Sequence, residues 1–184
     1  MTLEQLRTRI AELEPAELEA PKRAAVATVL RPRGGELEGL FIRRAEHPDD
    51  PWSGHMAFPG GRQDPEDATL LDTARRETLE EVGLDLGRAA LLGPLDDVQT
   101  HRKGLIVRPY VFALEGEPAL EGNYEVAEVL WVPLGPLLRG ERDTTYPLER
   151  DGQTWRFPAY DADGRIIWGL TYRMLQLLFR LLRP

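Results

Sequence analysis

The sequence predicts an α/β sandwich, and three observations predict it. Runs of small and β-branched residues alternate along the chain with a few helical patterns, rather than forming separate all-β and all-α blocks. The 184 residues are 42% hydrophobic, enough to fill the core of one domain. The clearest helical pattern sets Leu71, Ala74, Thr78 and Val82 in one stripe opposite its acids, a face suited to packing on a sheet.

The elements follow in order. Residues 2–19 read as an amphipathic helix, with Leu3, Leu6, Ile10 and Leu13 on one side and Pro21 at its end. This divides the chain into an N-terminal helix, residues 1–22, packed on a domain of residues 23–184. Ala24–Leu30 and Leu40–Arg44 read as strands joined through Gly34-Gly35. Glu46–Ser53 is polar, contains two prolines, and reads as a loop. Ala57–Gly61 is a short strand ending in a tight turn. The helix that follows starts at Asp67 or Thr69, where Thr69 and Asp72 form a capping-box pattern, and stops at Gly83. Ala90–Val98, Leu105–Leu114 and Val126–Val132 read as strands, and Pro133–Leu138 as a short helix. Thr154–Tyr160 and Arg165–Trp168 form a hairpin around Asp161–Gly164. A last helix runs from about Leu170 to Leu182, apolar over most of its circumference, which suits burial or a homodimer interface.

Composition excludes several classes. Without cysteine there is no disulfide framework and no thiolate metal site. No apolar run reaches the length of a membrane span and the N-terminus lacks a signal-peptide pattern, so a cytoplasmic protein without membrane contact is expected. A net charge of −8 disfavours binding to nucleic-acid backbones. A phosphorylated small molecule remains open as substrate, because a bound cation and local arginines reverse the field at a site.

The chemistry concentrates in Arg76–Leu84, which reads R-E-T-L-E-E-V-G-L. On a helix Glu77, Glu80 and Glu81 stand at i, i+3 and i+4, where like charges cost roughly 0.2–0.5 kcal/mol per pair. A hard cation such as Mg²⁺ or Mn²⁺ among them accounts for the clustering, since both prefer oxygen ligands. Arg76 lies one turn from Asp72 and Glu80, placed to hold a carboxylate still. Upstream, Gly60-Gly61 lets the backbone approach a ligand closely.

Together these residues resemble the Nudix hydrolase family, whose pattern is G-x5-E-x7-R-E-U-x-E-E-x-G-U with U aliphatic. Gly61, Arg76, Glu77, Glu80, Glu81, Gly83 and Leu84 match, and Thr78 stands at the first aliphatic position. The span from Gly61 to Arg76 is one residue longer than the pattern, so Glu66 or Asp67 serves as the loop acid. The resemblance implies a Nudix α/β/α sandwich with a mixed central sheet. It also implies Mg²⁺- or Mn²⁺-dependent cleavage of a diphosphate anhydride, with Glu77, Glu81, Glu80 and Gly61 around the metal and Arg76 as an orienting residue.

Leu40, Arg44-Ala45, Gly54 and Phe58-Pro59-Gly60-Gly61 further resemble the coenzyme A pyrophosphatase branch, as do Leu95–Val98 and Ile167–Thr171. The spacer from Ala45 to Gly54 is one residue longer, and an internal arginine of that branch is replaced by Asp49 and Asp50. The resemblance implies a nucleotide substrate, coenzyme A or a derivative, giving phosphopantetheine and adenosine 3′,5′-bisphosphate. An ADP-ribose or dinucleotide hydrolase is the alternative within the family, and a catalytically silent ligand-sensing domain the alternative outside it. Candidate substrate contacts are Arg44 and His55. His101 and Arg102 suit phosphate, and Phe58, with Trp52 and Tyr110, suits stacking on adenine. Glu125, with Glu128, stands where such enzymes place an extra acid before a late strand.

Overall fold

The spine of the molecule is β1, Lys22–Arg33. Its residues from 24 to 31 are all buried, which requires cover on both faces. Ala24, Val26 and Leu30 enter one core, and Ala25, Ala27 and Val29 the other. The computed structural model that shows this describes residues 3–48, 52–101, 104–150 and 152–183.

Beside β1 runs β7, Leu105–Ala113, parallel from Lys22↔Leu105 to Leu30↔Ala113. Every other pair is antiparallel, so the sheet is mixed. β2, Glu36–Arg44, returns from β1 through Gly34-Gly35, both at positive φ (59° and 86°). β5, Ala90–Pro94, and β6, Val98–Gln99, border β7, while β8, Val126–Pro133, borders β2. β1 and β2 pair only from Leu30↔Gly39 to Arg33↔Glu36, then diverge. Residues 56–62 fill the opening. β3, Met56–Ala57, pairs with β2, and β4, Gly60–Arg62, pairs with β1. The glycine pair thus sits at the centre of the sheet.

One face is covered by α2, Leu70–Val82. The other carries α1, Leu3–Ala11, and α4, Gly169–Leu182, with a second, three-stranded sheet of β9 (Asp143–Arg150), β10 (Gln153–Ala162) and β11 (Arg165–Trp168). A short α3, Leu134–Leu138, follows β8. The layers are those of the expected α/β sandwich. Met174, Leu175, Leu178, Phe179 and Leu182 of α4 are buried within the chain, so folding itself covers much of that apolar helix. Among the described residues no helix is long and apolar enough to cross a membrane.

Three expectations change. The N-terminal helix stops at Ala11 instead of running to residue 19. Pro15 disfavours helix in the residue before it, and the following segment finds its bonds on the sheet side. Ala16 N donates to Asp96 Oδ1, Leu18 N to Asp97 Oδ2, and Asp97 N to the Ala16 carbonyl. That same strap interrupts the strand expected over 90–98, which divides into β5 and β6. β9 was not foreseen, because most of its residues are exposed and it shows no alternation to read.

Candidate active site

The helix carrying the glutamates is fixed at both ends. Thr69 Oγ1 accepts from Asp72 N while Asp72 Oδ2 accepts from Thr69 N, completing the capping box. Gly83, at φ 69°, donates its N–H to the Leu79 carbonyl. Thr78, at an aliphatic position of the family pattern, returns its buried hydroxyl to the Ala74 carbonyl at 2.7 Å and so is satisfied in the core.

This register places the three glutamates at three depths. The Glu80 side chain is 55% exposed and that of Glu77 20%. Glu81 is only 4% exposed. The expectation that all three acids project away from the core is therefore corrected: α2 lies close enough to the sheet to turn Glu81 inward. There Gly60 N donates to Glu81 Oε2 at 2.8 Å. Gly61 lies directly beneath Glu77, and a Cβ on it would stand 2.4 Å from the Glu77 carboxyl carbon. Gly61 is thus a steric requirement of Glu77, and Gly60, at φ 149°, a requirement of β1, whose Ala25 carbonyl a Cβ there would meet at 2.3 Å.

Strand register also shows which carbonyl faces them. Ala27 N donates to Pro59 O and Gln63 N to Arg23 O, which makes Ala25–Gly61 the intervening hydrogen-bonded pair. The Gly61 carbonyl is turned toward β1. The carbonyls of Gly60 and Arg62 leave the ladder on the opposite side, and that of Arg62 accepts from Arg76 Nη2 at 3.1 Å.

Arg76 organises the rim. Its Nε and Nη2 grip both oxygens of Asp67 at 3.0 and 2.8 Å, and its Nη1 reaches Glu77 at 2.9 Å and Glu80 at 3.3 Å. The Asp67 side chain is 6% exposed and also accepts from Asp64 N and Thr73 Oγ1. Of the two loop acids left open by the sequence, Asp67 makes this clamp and Glu66 is exposed. Arg76 holds the Asp67 carboxyl well below the usual carboxylate range.

The inner acids behave oppositely. Burial raises the pKa of Glu77 despite the adjacent Arg76. Burial pushes Glu81 up to about 8, with Gly60 N and Arg44 opposing the shift and Glu77 and Glu125 adding to it. Among the described residues no three acidic or histidine side chains converge tightly enough to enclose a cation. What the protein offers is two carboxylates whose pKa values burial raises, Glu81 on Gly60 N and Glu77 over Gly61, and a Gly60 carbonyl that leaves the β1 ladder. These are hard oxygen donors of the type Mg²⁺ and Mn²⁺ take, so the donor chemistry fits a divalent cation.

The remaining candidates separate. Arg44 and Glu125 both reach the surroundings of Glu81. A β-bulge between Arg43 and Arg44 redirects the strand there. Asn123 N donates to the Glu81 carbonyl, Glu121 N to that of Val82, and Ala45 N to that of Glu125, tethering this loop to α2 and β2. Glu128 instead binds Arg43 Nε and Arg165 on the other face of the sheet. Phe58 does not line the site. It is 2% exposed and stacked on Phe41 at 4.8 Å, and its apolar ring belongs to the core. Tyr110 is also buried. His55 lies edge-on to Trp168 and Tyr146 in a cleft beside the site. His101 is exposed. Arg102, with Lys103, Asp49 and Asp50, lies outside the described residues. The sequence reading missed the Gly60 carbonyl, which only the register of β4 on β1 reveals.

A NUDIX domain profile matches residues 21–151. The chain belongs to the Nudix hydrolase family. Its members cleave diphosphate anhydrides in nucleoside diphosphate derivatives. The chain is 34% identical over 140 residues to an uncharacterized Nudix hydrolase, NudL, of Yersinia enterocolitica, covering 76% of this chain and 71% of that one. It is 41% identical over 118 residues to an uncharacterized protein of Schizosaccharomyces pombe, covering 60% of this chain and 36% of that protein, so it spans about a third of that relative's length. Among solved structures, a MutT/nudix family protein from Enterococcus faecalis aligns over 99% of this chain and 70% of its own, with TM-score 0.58 and 18% identity. The NUDIX domain of Shewanella oneidensis NrtR, solved with ADP ribose, aligns over 76% of this chain and 88% of its own, with TM-score 0.51 and 22% identity. At these identities the structures speak for the fold.

Proposed function

We propose that this chain hydrolyses the diphosphate of coenzyme A or a close derivative, using Mg²⁺ or Mn²⁺. The carrying observation is the pair of carboxylates whose pKa values burial raises, the part-buried Glu77 over Gly61 and the buried Glu81 on Gly60 N, beside a Gly60 carbonyl that leaves the β1 ladder. Glu77, Glu81 and the Gly60 carbonyl would hold the cation, with Glu80 at the exposed edge; the register favours Gly60 over Gly61 as the backbone donor. A bound divalent cation neutralises the diphosphate and acidifies a water.

The protein's own groups do the rest. Arg76 and Asp67 fix the direction of Glu77 and Glu80. Arg44 meets the substrate's negative charge from β2. Glu125, brought beside Glu81 by its tethered loop, accepts the proton of the attacking water. The intact acid set argues against a silent sensing domain, because a binding module needs no such desolvated carboxylates.

The coenzyme A reading rests on Arg44-Ala45, Gly54 and the Phe58–Gly61 segment. The segment is a structural wedge whose Phe58 is a core residue, so its support for a particular substrate narrows to Arg44 and Gly54. ADP-ribose, the ligand of the NrtR domain that shares the fold, is the second reading. Side-by-side assay of coenzyme A, ADP-ribose and diadenosine polyphosphates with Mg²⁺ and Mn²⁺ decides. The expected result is the highest kcat/KM for coenzyme A, with phosphopantetheine and adenosine 3′,5′-bisphosphate as products. A clear preference for ADP-ribose transfers the chain to the second reading.

A further inference from the structure

Arg43 and Arg44 are consecutive on β2 and point to opposite faces of the sheet. Arg44 stands near Glu81. Arg43 opens into a cleft of roughly 580 Å³ between β8 and the second sheet. The cleft has two kinds of wall. One is aromatic: Tyr146 and Trp168 are stacked at 4.0 Å and 16°, and His55 meets both edge-on at 5.8 and 5.1 Å. The other is cationic: Arg43 and Arg165 share a single carboxylate, Glu128. The second acid at the cleft, Asp163, is paired with Arg142. The charged lining is thus two arginines, Arg43 and Arg165, with Glu128 and Asp163, and Asp163 is engaged by Arg142 from outside the cleft, in a chain whose net charge is −8.

None of this is required by the core. His55, Tyr146 and Trp168 are only half-buried, and Arg43, Arg165 and Glu128 keep about a third of their side-chain surface exposed. The rim, Ser53–Met56, leads directly into the wedge that holds Gly60 beneath Glu81, and Arg44 bonds its backbone at both His55 and Gly54. The cleft rim and the Gly60–Glu81 contact therefore belong to one short segment, residues 53–60, laid along β2 and β1.

We infer that this cleft is the seat of the nucleoside end of the substrate: a purine ring on the His55–Tyr146–Trp168 wall, and its ribose phosphate on Arg43 and Arg165. A planar π-surface beside guanidinium donors matches a base with a phosphate on its ribose, and matches neither a bare alkyl chain nor an uncharged ring. The assignment rests on the coenzyme A reading, in which the ribose carries a phosphate outside the diphosphate, and adds to it where the base sits. It places the base beyond the reach of the metal-site acids, so binding of the base and cleavage of the diphosphate are separable by mutation.

The test is calorimetric titration of adenosine 3′,5′-bisphosphate into metal-free protein, with adenosine and ribose 5-phosphate as controls. The wild type and the Glu77→Gln variant should bind the bisphosphate alike, and each control at least tenfold more weakly. Tyr146→Ala and the cleft-filling Ser53→Trp should each weaken bisphosphate binding about tenfold, the scale of a lost base–aromatic stack. They should raise KM for the nucleotide substrate in the same proportion and leave kcat near wild type. Ser53 is partly exposed at the rim, so its variant serves if Tyr146→Ala melts early. Undiminished binding in both cleft variants, or loss of binding in Glu77→Gln, overturns the assignment. A wild type that cleaves no nucleoside diphosphate derivative would instead defeat the proposed function, and the metal-free titration would still report on the cleft.

Discussion

The same device, an arginine gripping a buried aspartate with both ends of its fork, occurs twice on the α2 face of the central sheet. Arg76 grips Asp67 at 3.0 and 2.8 Å, and Arg108 grips Asp97 at 2.7 and 2.9 Å. What surrounds each pair differs. Arg108 adds Glu17 at 3.1 Å, and Asp97 accepts from Leu18 N, so that clamp fastens the non-helical strap after α1 to the sheet. Arg76 adds Glu77 and Glu80, and the buried Glu81 follows one turn after Glu77, more carboxylate than one guanidinium offsets. One clamp carries the buried Asp97 and the largely exposed Glu17 on one guanidinium and holds the fold. The other gathers a larger excess of negative charge, and the proposed cation site rests on that excess. Bidentate geometry by itself does not tell a functional arginine from a structural one; the surplus of acids does.

The largest effect should come from the surplus itself. Glu77→Gln or Glu81→Gln should lower turnover by about 10²–10³-fold, the scale of losing an electrostatic contact made in the transition state, measured as kcat at saturating Mg²⁺. Because Glu81 is buried and held above its ordinary pKa, Glu81→Gln should fold at least as stably as wild type in metal-free buffer at pH 8. Activity would fall while stability does not.

Breaking the structural clamp should give the reverse. Arg108→Ala leaves the Asp97 carboxylate, whose side chain is fully buried, without its partner. The cost is about 3–5 kcal/mol, read by urea unfolding, with kcat per folded molecule near wild type. Arg76→Lys keeps charge but loses the fork. It should lower kcat more than it raises KM, since Glu77 loses its direction. If both arginine variants lost activity in proportion to stability, the distinction between the two clamps would fail.

A pH experiment sharpens the comparison. A carboxyl whose folded pKa is raised contributes stability that is fully present below its unfolded value, ordinarily 4.5, and lost as pH rises through its folded value, here about 8. The melting temperature of metal-free protein should therefore carry a downward contribution between about pH 5 and 8 that Glu81→Gln removes. Saturating Mn²⁺ should remove it as well, because a cation compensates the charged form. The rate with Mg²⁺ should climb toward alkaline pH, as protons leave both the acids and the attacking water. Asp67 acts oppositely: its depressed pKa contributes stability present above pH 4 and lost in acid. The smallest effect is at the helix start, where Thr69→Ala should cost about 1 kcal/mol with little change in rate.

Much of this was legible beforehand because local rules fix it. Thr69, Asp72 and Gly83 mark the ends of α2 by capping chemistry. Once the ends are set, the relation of Glu77, Glu80 and Glu81 follows from helical period. How deep each acid lies was not legible, because depth depends on how closely α2 approaches a sheet assembled from distant segments. The backbone donor needed the pairing of Gly61 with Ala25, a long-range register. Phe58, like Trp52 and Tyr110, reads as a surface for adenine from its ring alone; its contact with Phe41 is a tertiary fact. The aromatic wall was missed for the same reason. Its rings come from residues 55, 146 and 168, and β9 gives no periodic signal.

The central claim is that Glu77 and Glu81 together hold the cation. Isothermal titration of Mn²⁺ into metal-stripped wild type and the Glu77→Gln/Glu81→Gln double variant, at pH 8 and without nucleotide, tests it most directly. The wild type should show saturable binding that releases protons from Glu81, so its heat should vary with the ionisation enthalpy of the buffer. The double variant should show at least a tenfold weaker affinity and no buffer dependence. Equal Mn²⁺ affinity in the two proteins would contradict the account.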